Sequence, residues 1–348
     1  MQQTPLATII SDTRDTMWLC RFDGNGQAHW DGIREEDPPA LALDTLLCPA
    51  DEDGTRGFVW IHVDLVDTRA RNWIGGLPFV PEPLRQRFIT STGRRSVACQ
   101  DGVLNFSLPD SALNFDTPTD EMTFLQCLVG ADFIITGRRR KVAAVAEVVA
   151  ATDKGQHFAT PVILLGALVG QITQRLEAAS AAASDELDDI EDHVLSERMK
   201  ANTTQLLGPL RRAMARVHRQ TLILRQTVFQ VECAETAMPP DDRRRALHVY
   251  VERLDVLDHD TVSEQGRAKI LQDEISTRIA NESNRSLYIV TMMTTFFMPP
   301  ALIAGIFGMN VANLPLTETR GGFWWSVLLL LLSIAGTYYI LRRFVGSR

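Results

Sequence analysis

Two apolar stretches near the C-terminal end constrain the fold more than any other feature of the sequence. The stretches at 286–307 and 323–341 contain no charged residue. Each is about 20 residues long, which is enough for a helix to cross roughly 30 Å of hydrocarbon. The sequence therefore predicts two transmembrane helices at 286–307 and 323–344, joined by a short outer loop at 308–322.

The arginines around these stretches predict their orientation. Several arginines lie on the sides of the stretches that lead away from the loop, namely Arg278, Arg285, Arg342, Arg343 and Arg348. The loop offers only Arg320, with Glu318 nearby. Because positive residues favour the cytoplasmic side, we expect a multi-pass protein of a bacterial-type inner membrane with both termini in the cytoplasm. The first 15 residues show no basic region followed by an apolar core, so we expect no signal peptide.

The rest of the chain reads as two cytosolic parts. Residues 1–160 contain short β-branched and aromatic runs between turn residues, such as "GFVWIHVDLV", and stretches of helical spacing, such as "KVAAVAEVVAAT". This mixture predicts an α+β domain in which helices cover a sheet. Residues 161–285 contain few turn residues and predict three long stalk helices. The segment "AMPPDD" separates the second from the third, which starts at Pro239-Pro240 and continues into the first transmembrane helix. Residues 345–348 form a short cytosolic tail.

Composition and motifs exclude several classes of function. The net charge of −8 disfavours nucleic-acid binding, which needs a basic face. The five cysteines are scattered without a CxxC pair, which fits a reducing compartment and argues against a zinc-finger site. The sequence contains no phosphate-binding loop and no HExxH or GxSxG motif. We therefore expect no enzyme and no cofactor.

An acidic run at 185–192 is a candidate cytosolic metal site. Asp189 and His193 are four residues apart, so a helix would place them on one face. Such a run is also typical of a solvated helix surface, and the sequence leaves both interpretations open.

Polar and small residues recur at helical spacing in the first apolar stretch. A seven-residue step places Asn284, Thr291, Met298 and Gly305 on one stripe. The residues predicted beside this stripe are Leu287, Thr294, Thr295 and Ala301. Such a face either lines a pore formed by several copies of the helix or packs closely against another helix.

The end of this stretch carries two further unusual features. Pro299 and Pro300 remove two backbone donors inside the span, which predicts either a simple kink or a helix that borders a water-filled cavity. The triplet Gly308-Met309-Asn310 follows, and its spacing alone is that of an ordinary helix cap.

The segment "MPPALIAGIFGMN", followed by a short loop and a final span, resembles the CorA superfamily of divalent-cation transporters. Its hallmark is a Gly-Met-Asn triplet at the end of the first of two C-terminal membrane helices. "DFIITGRRRK" resembles the last strand of the family's cytosolic domain. "DELDDIEDHVLSER" and "PLRRAMARVHRQTLILR" resemble its two stalk helices, so the resemblance covers most of the chain.

The resemblance implies a funnel-shaped homopentamer embedded in the lipid bilayer. Five copies of the first span would line a pore for divalent cations, and the second spans would face lipid. Carried over by position, Gly308, Met309 and Asn310 form the outer selectivity filter, and the stripe from Asn284 to Gly305 lines the pore.

The transported ion is a further expectation. "VWIHVDLVDTRARNWI" resembles the ZntB zinc-transporter branch, and the outer loop lacks the Met-Pro-Glu-Leu sequence of the magnesium branch. However, the Gly-Met-Asn triplet is intact, which leaves magnesium, cobalt or nickel as alternatives to zinc. Residues 286–317 contain no Cys, His, Asp or Glu, so we expect the ion to pass largely hydrated.

The principal rival to a transporter is a cytosolic binding or signalling module whose membrane hairpin serves only as a tether. The two hypotheses differ in the expected effect of Asn310→Ala, which should impair ion flux only if the triplet is a filter.

Overall fold

The computed structural model describes residues 17–31, 56–91, 97–110, 122–195, 203–236, 238–309 and 321–345. These residues fall into two compact units that divide between Lys269 and Ile270. The first unit contains a sheet and helices, and the second contains the two apolar C-terminal segments.

A seven-stranded sheet forms the centre of the first unit. Its strands are β1 (Met17–Phe22), β2 (Ala28–Asp31), β3 (Phe58–Asp64), β4 (Ala98–Gln100), β5 (Val103–Asp110), β6 (Thr123–Val129) and β7 (Phe133–Arg138). The spatial order is β2-β1-β3-β7-β6-β5-β4. Only β3 and β7 pair in parallel, and every other neighbouring pair is antiparallel.

The β1–β2 hairpin shows how local chemistry fixes this sheet. Asp23 Oδ1 accepts hydrogen bonds from the amides of Asn25 and Gln27, at 3.0 and 2.8 Å. Gly26 adopts a φ of +78°, a backbone conformation that residues other than glycine rarely adopt. A side chain there would also collide with the backbone of Phe158, so the turn needs glycine for two reasons.

Seven helices are described. They are α1 (Thr68–Gly75), α2 (Glu82–Thr90), α3 (Ala143–Asp153), α4 (Pro161–Leu195), α5 (Thr203–Cys233), α6 (Pro240–Phe307) and α7 (Gly322–Val345). Asp67 directly precedes the short α1, and its side chain accepts a hydrogen bond from the amide of Arg69 at 2.8 Å and so caps the helix.

Helices cover both faces of the sheet, as predicted for an α+β domain. On β3, the side chains of Val59, Ile61 and Val63 belong to a hydrophobic core shared with α1 and α2. Trp60 points to the opposite face and packs in a larger core that includes residues of α3, α4, α5 and the first part of α6. This alternation follows from the two-residue period of a strand.

Three long helices pack against one another beside the sheet. Two α6 arginines bind α4 acids, because Arg253 contacts Glu177 at 2.5 Å and Arg267 contacts Glu191 at 2.7 Å. Both pairs are separated by 76 residues, so α4 and α6 run parallel in constant register. His218 of α5 pairs with Asp258 of α6 at 3.0 Å.

The direction of α5 follows from a second pair of contacts. Arg225 binds Asp255, and Gln265 donates a hydrogen bond to the carbonyl oxygen of Met214 at 3.3 Å. On α6, Asp255 comes before Gln265, whereas on α5 the partner of Asp255, Arg225, comes after the partner of Gln265, Met214. Helix α5 therefore runs antiparallel to α6.

Helix α6 contains 68 residues and continues without interruption through Pro299 and Pro300. At 1.5 Å per residue it is roughly 100 Å long. Both α6 and the segment Gly322–Arg343 are long and apolar enough to cross a membrane. Most side chains of the apolar part of α6 are exposed in the single chain, which fits a segment that can cross a membrane.

Candidate functional site

The eight residues predicted to line a pore all lie on the C-terminal part of α6. At 100° per residue, they occupy about a third of the helix circumference. Met298 exposes 67% of its surface and Leu287 exposes 61%. Gly305 has no neighbouring atom within reach of a Cβ, so the helix surface there is open. The structure therefore brings these residues into one sector of the helix surface.

Two threonines in this sector have hydroxyl oxygens that can accept hydrogen bonds. Thr294 Oγ1 donates a hydrogen bond to the carbonyl of Val290, and Thr295 Oγ1 donates to the carbonyl of Thr291, both at 2.8 Å. Since each hydroxyl hydrogen is used within the helix, the oxygen lone pairs remain to accept hydrogen bonds from water. A cation with its water shell meets acceptors of this kind favourably.

Pro299 and Pro300 add unsatisfied acceptors to the same region. Proline has no amide hydrogen, so the carbonyls four residues earlier, those of Thr295 and Phe296, lose their ordinary helical donor. Because unpaired carbonyls are costly in hydrocarbon, they favour a position beside water or another protein surface. This chemistry favours a polar environment at mid-span.

The helix ends where the Gly-Met-Asn triplet begins. The amide of Gly308 donates to the carbonyl of Ala304 at 2.9 Å, and that of Met309 donates to the carbonyl of Ile306 at 3.3 Å. The side chain of Met309 is 56% exposed. Asn310 and the outer-loop candidate Glu318 lie outside the described residues.

The cytosolic metal candidates have other partners. The His193 ring donates from Nδ1 to the backbone carbonyl of Asp189 at 2.6 Å, so this nitrogen carries a proton and cannot ligate a metal. Neighbouring Asp188 and Glu191 both bind Arg267 at 2.7 Å. Among the described residues, no three His, Cys, Asp or Glu side chains are grouped as a metal site. A metal on Asp189 and His193 stays a prediction without a third described ligand.

Arg267 is the residue in this cluster that sequence reasoning missed. It also contacts Glu264 at 3.1 Å, and its hydrogen bonds to the carboxylates of Asp188 and Glu191 raise its pKa. The spacing of acids within α4 cannot reveal a partner that lies more than 70 residues later on α6. The one available signal is an isolated arginine on an acidic stretch of that helix.

His62 of the quoted Trp-Ile-His segment is a core residue. Its Nδ1 lies 2.8 Å from Thr136 Oγ1, which also accepts a hydrogen bond from Trp60 Nε1 at 3.0 Å. The ring stacks at a tilt on Trp18, with 5.1 Å between centroids. Burial, assisted by the charge of Arg138, holds the pKa of His62 well below its usual range. This environment indicates a structural role.

Comparison with known proteins identifies the family. Residues 55–343 match the family described as "CorA-like Mg2+ transporter protein".

The chain belongs to this CorA-like family. Its members are transporters and not enzymes, which confirms both the resemblance and the expectation that the chain has no enzymatic role. The match covers the sheet from β3 onwards, the three long helices and both candidate membrane segments.

A named relative and two solved structures extend this result. The chain is 25% identical to the zinc transport protein ZntB of Yersinia enterocolitica over 337 residues, which cover 94% of this chain and 95% of the relative. It resembles the full-length CmaX structure with a TM-score of 0.77, 21% identity and coverage of 96% and 99% of the two chains. The CorA magnesium transporter of Methanocaldococcus jannaschii gives a TM-score of 0.71, 18% identity and coverage of 94% and 97%. At these identities the two structures support the fold alone.

Proposed function

We propose that this protein is a homopentameric transporter of the inner membrane that conducts a divalent cation, zinc in the first place, through a pore lined by α6. The observation that carries the proposal is the sector of α6 in which hydroxyl oxygens, small residues and proline-freed carbonyls follow one another. Membership of the CorA-like family supports transport as the activity.

The chemistry of the sector sets the form in which the ion travels. Residues 286–317 offer neutral oxygens and thioethers but no carboxylate, imidazole or thiolate. Zinc held directly would need nitrogen or sulfur ligands, and magnesium held directly would need carboxylates. The ion therefore keeps most of its water, and the pore sorts cations by hydrated size and charge.

The outer mouth is assigned to the triplet Gly308-Met309-Asn310. A glycine lets the backbone leave the helix, and an asparagine supplies a neutral amide whose oxygen accepts hydrogen bonds from the water shell of a cation. Five such amides form the filter in the pentamer. Both termini lie in the cytoplasm, in agreement with the arginines around the spans.

Zinc is favoured by the relatives and by one segment of the sequence. The chain aligns along nearly its whole length with a protein named as a zinc transporter, and it carries the Trp60-Ile61-His62 segment that resembles that branch. Magnesium is the second candidate, because the family description names Mg2+ and the triplet is intact. The neutral filter predicts only modest discrimination between the two ions.

The driving force is the membrane potential together with the ion gradient. The first span contains no Asp, Glu, His, Cys, Lys or Arg, so no carboxylate, imidazole, thiol or amine of the span can carry a proton across. Any proton coupling has to use Glu318, cytosolic groups or the water column.

The experiment that tests this function is ion uptake by proteoliposomes, with zinc and magnesium compared at equal concentration under an imposed potential. We expect zinc uptake to fall at least about tenfold in Asn310→Ala, because the five Asn310 side-chain amides of the proposed filter are lost. Asn313→Ala is the matched control, since it removes the same group three residues further along the outer loop. Equal uptake by the wild type and by empty vesicles would contradict transport and favour the tethered module.

The mass of the detergent-solubilised protein tests the assembly separately. A pentamer has five times the chain mass of 38.8 kDa. Mass photometry that finds monomers or dimers would contradict the shared pore.

A further inference from the structure

A basic groove runs between α5 and α6 in the first unit. It is lined chiefly by Arg211, Arg212, Ala215, Val262, Gly266 and Lys269, and it offers about 660 Å³. All six residues are exposed. The protein has a net charge of −8, so a groove lined by three cations departs from its average surface.

Charge is segregated between neighbouring helices around this groove. From Thr203 to Val231, α5 contains five arginines and no acidic residue. The C-terminal part of α4 is the reverse, with six acidic residues and no Lys or Arg at 185–192. Within the chain, the ion pairs described above connect α4 to α6 and α5 to α6.

Part of the acidic run faces outwards. Asp185, Asp189 and Asp192 are exposed, and their spacing of four and three residues puts them on one stripe. Leu187 and Ile190 are buried on the opposite side of the helix. We call these three aspartates the acidic stripe.

The acidic stripe and the basic groove lie at the same level of the helix bundle. The two α4–α6 ion pairs share an offset of 76 residues, so positions 185–192 of α4 are level with positions 261–268 of α6. The groove uses residues 262–269 of α6.

They also lie on different sides of the bundle. Arg267 is on the flank of α6 that binds α4, whereas Val262, Gly266 and Lys269 are on the flank that borders α5. A single chain therefore cannot place its own stripe in its own groove.

We propose that the acidic stripe of one subunit docks into the basic groove of the next. This inference rests on the proposed homopentamer. Neighbours in a ring are related by rotation without translation along the axis, so a head-to-tail contact needs two complementary patches at one level on different flanks. The stripe and the groove meet both conditions. Charge complementarity of this kind selects the partner and the register of an interface more than it adds affinity.

Cross-linking tests the docking directly. The full chain carries Asp189→Cys and Arg212→Cys in a background with the exposed Cys99 and Cys233 changed to serine, and a short bis-maleimide is added. We expect a ladder of covalent species up to five chains on a denaturing gel. Each variant that carries only one of the two introduced cysteines in the same background serves as a control and should give no such ladder. A pentamer by mass photometry that gives no ladder would overturn the docking while leaving the proposed function intact.

Charge reversal provides a second, independent readout. We expect Arg212→Glu with Lys269→Glu to lower the pentamer fraction about fivefold at low salt, since attractive pairs become repulsive at every interface. Adding Asp185→Lys and Asp189→Lys should restore the pentamer. Arg219→Glu reverses a single arginine charge on α5 outside the groove and should leave assembly unchanged, whereas Arg212→Glu alone, with the same net change, should lower the pentamer fraction. Equal losses in all variants, without restoration, would overturn the proposal, and a wild type that is not pentameric would instead overturn the proposed assembly.

Discussion

Residues 240–269 and 286–307 belong to one unbroken helix, yet their apolar side chains have different surroundings. In the first segment, Leu247 and Leu254 expose 1% and 0% of their surface because the sheet and neighbouring helices cover them. In the second segment, Leu287 and Met298 expose more than 60%. The first segment is thus covered by its own chain, whereas the apolar side chains of the second have little such cover among the described residues.

The polar groups follow the same division. The first segment places charged residues on its flanks and pairs them with α4 and α5, as Arg253 does with Glu177. The second has no charged residue, and its Thr294 and Thr295 hydroxyls donate hydrogen bonds to the helix backbone. Changes in the first unit should therefore alter its stability, and changes in the apolar segment should alter transport. The predictions below test that separation.

The largest effect is expected for Met298→Lys. In the proposed pore, a dication within about 6 Å of one ammonium meets roughly 5 kcal/mol of repulsion at an effective dielectric of 20. Zinc uptake should fall at least about hundredfold, while the thermal unfolding of the first unit stays unchanged. Met298→Leu is the control and should retain most of the uptake. Equal uptake by the two variants would place Met298 outside the pore.

The next effect concerns the ion pair of Asp110, a residue at the end of β5. Its side chain is 1% exposed and lies 2.5 Å from Arg175 Nη2, and its other oxygen accepts the amide of Ala144 at 3.1 Å. Asp110→Asn removes the nearer and more buried of the two carboxylates that Arg175 contacts, the other being Glu147 at 3.5 Å. The loss of this charged hydrogen bond should cost about 2 kcal/mol of unfolding free energy.

Urea denaturation followed by tryptophan fluorescence measures this cost. Asp132→Asn, at an exposed position, should change stability by less than about 0.5 kcal/mol. A small loss at Asp110 would mean that the sheet and α4 are held together mainly by apolar packing.

The smallest effect is the pH dependence contributed by His62. Burial lowers the pKa of His62 in the folded protein, so the unfolded chain binds the proton more readily. The stabilising effect of keeping this imidazole neutral is present above about pH 6.5 and is lost as the pH falls below that value, by at most about 1.4 kcal/mol per pH unit. His62→Gln should flatten the acid limb of stability against pH.

The control for this prediction is His157→Gln, which removes an exposed histidine. Urea midpoints between about pH 7.5 and 5 would be compared in the two variants and the wild type. Identical slopes in all three would show that His62 already binds its proton in the folded protein or does not affect folding.

Sequence patterns predicted the long elements of this fold and missed the short ones. The run "GFVWIHVDLV" is confirmed as β3 and the run "KVAAVAEVVAAT" as α3, and the third long helix begins at Pro240 as expected. The four-residue strand β2 and the eight-residue helix α1 were not predicted. A four-residue strand has no period of its own, and β2 exists through its pairing with β1.

The candidate site likewise has features that the sequence predicted and contacts that it could not predict. Helical periodicity was sufficient to put Asn284 and Gly305 on one sector, because that relation is local. The sequence alone could not identify the partner of the acidic run at 185–192, because Arg267 contacts that run only through the packing of α6 on α4. The filter residue Asn310 stays a prediction that rests on family resemblance.

The most direct test of the central claim is the accessibility of single introduced cysteines on α6 to a positively charged thiol reagent. Thr291→Cys lies in the proposed pore sector, and Ile289→Cys lies on the opposite face of the same helix. The reagent would be applied without zinc and removed before uptake is measured, with the treated wild type as background. We expect at least about tenfold inhibition of zinc uptake at Thr291→Cys and little change at Ile289→Cys. Equal inhibition at both positions, or none at Thr291→Cys, would contradict a cation pathway along this sector.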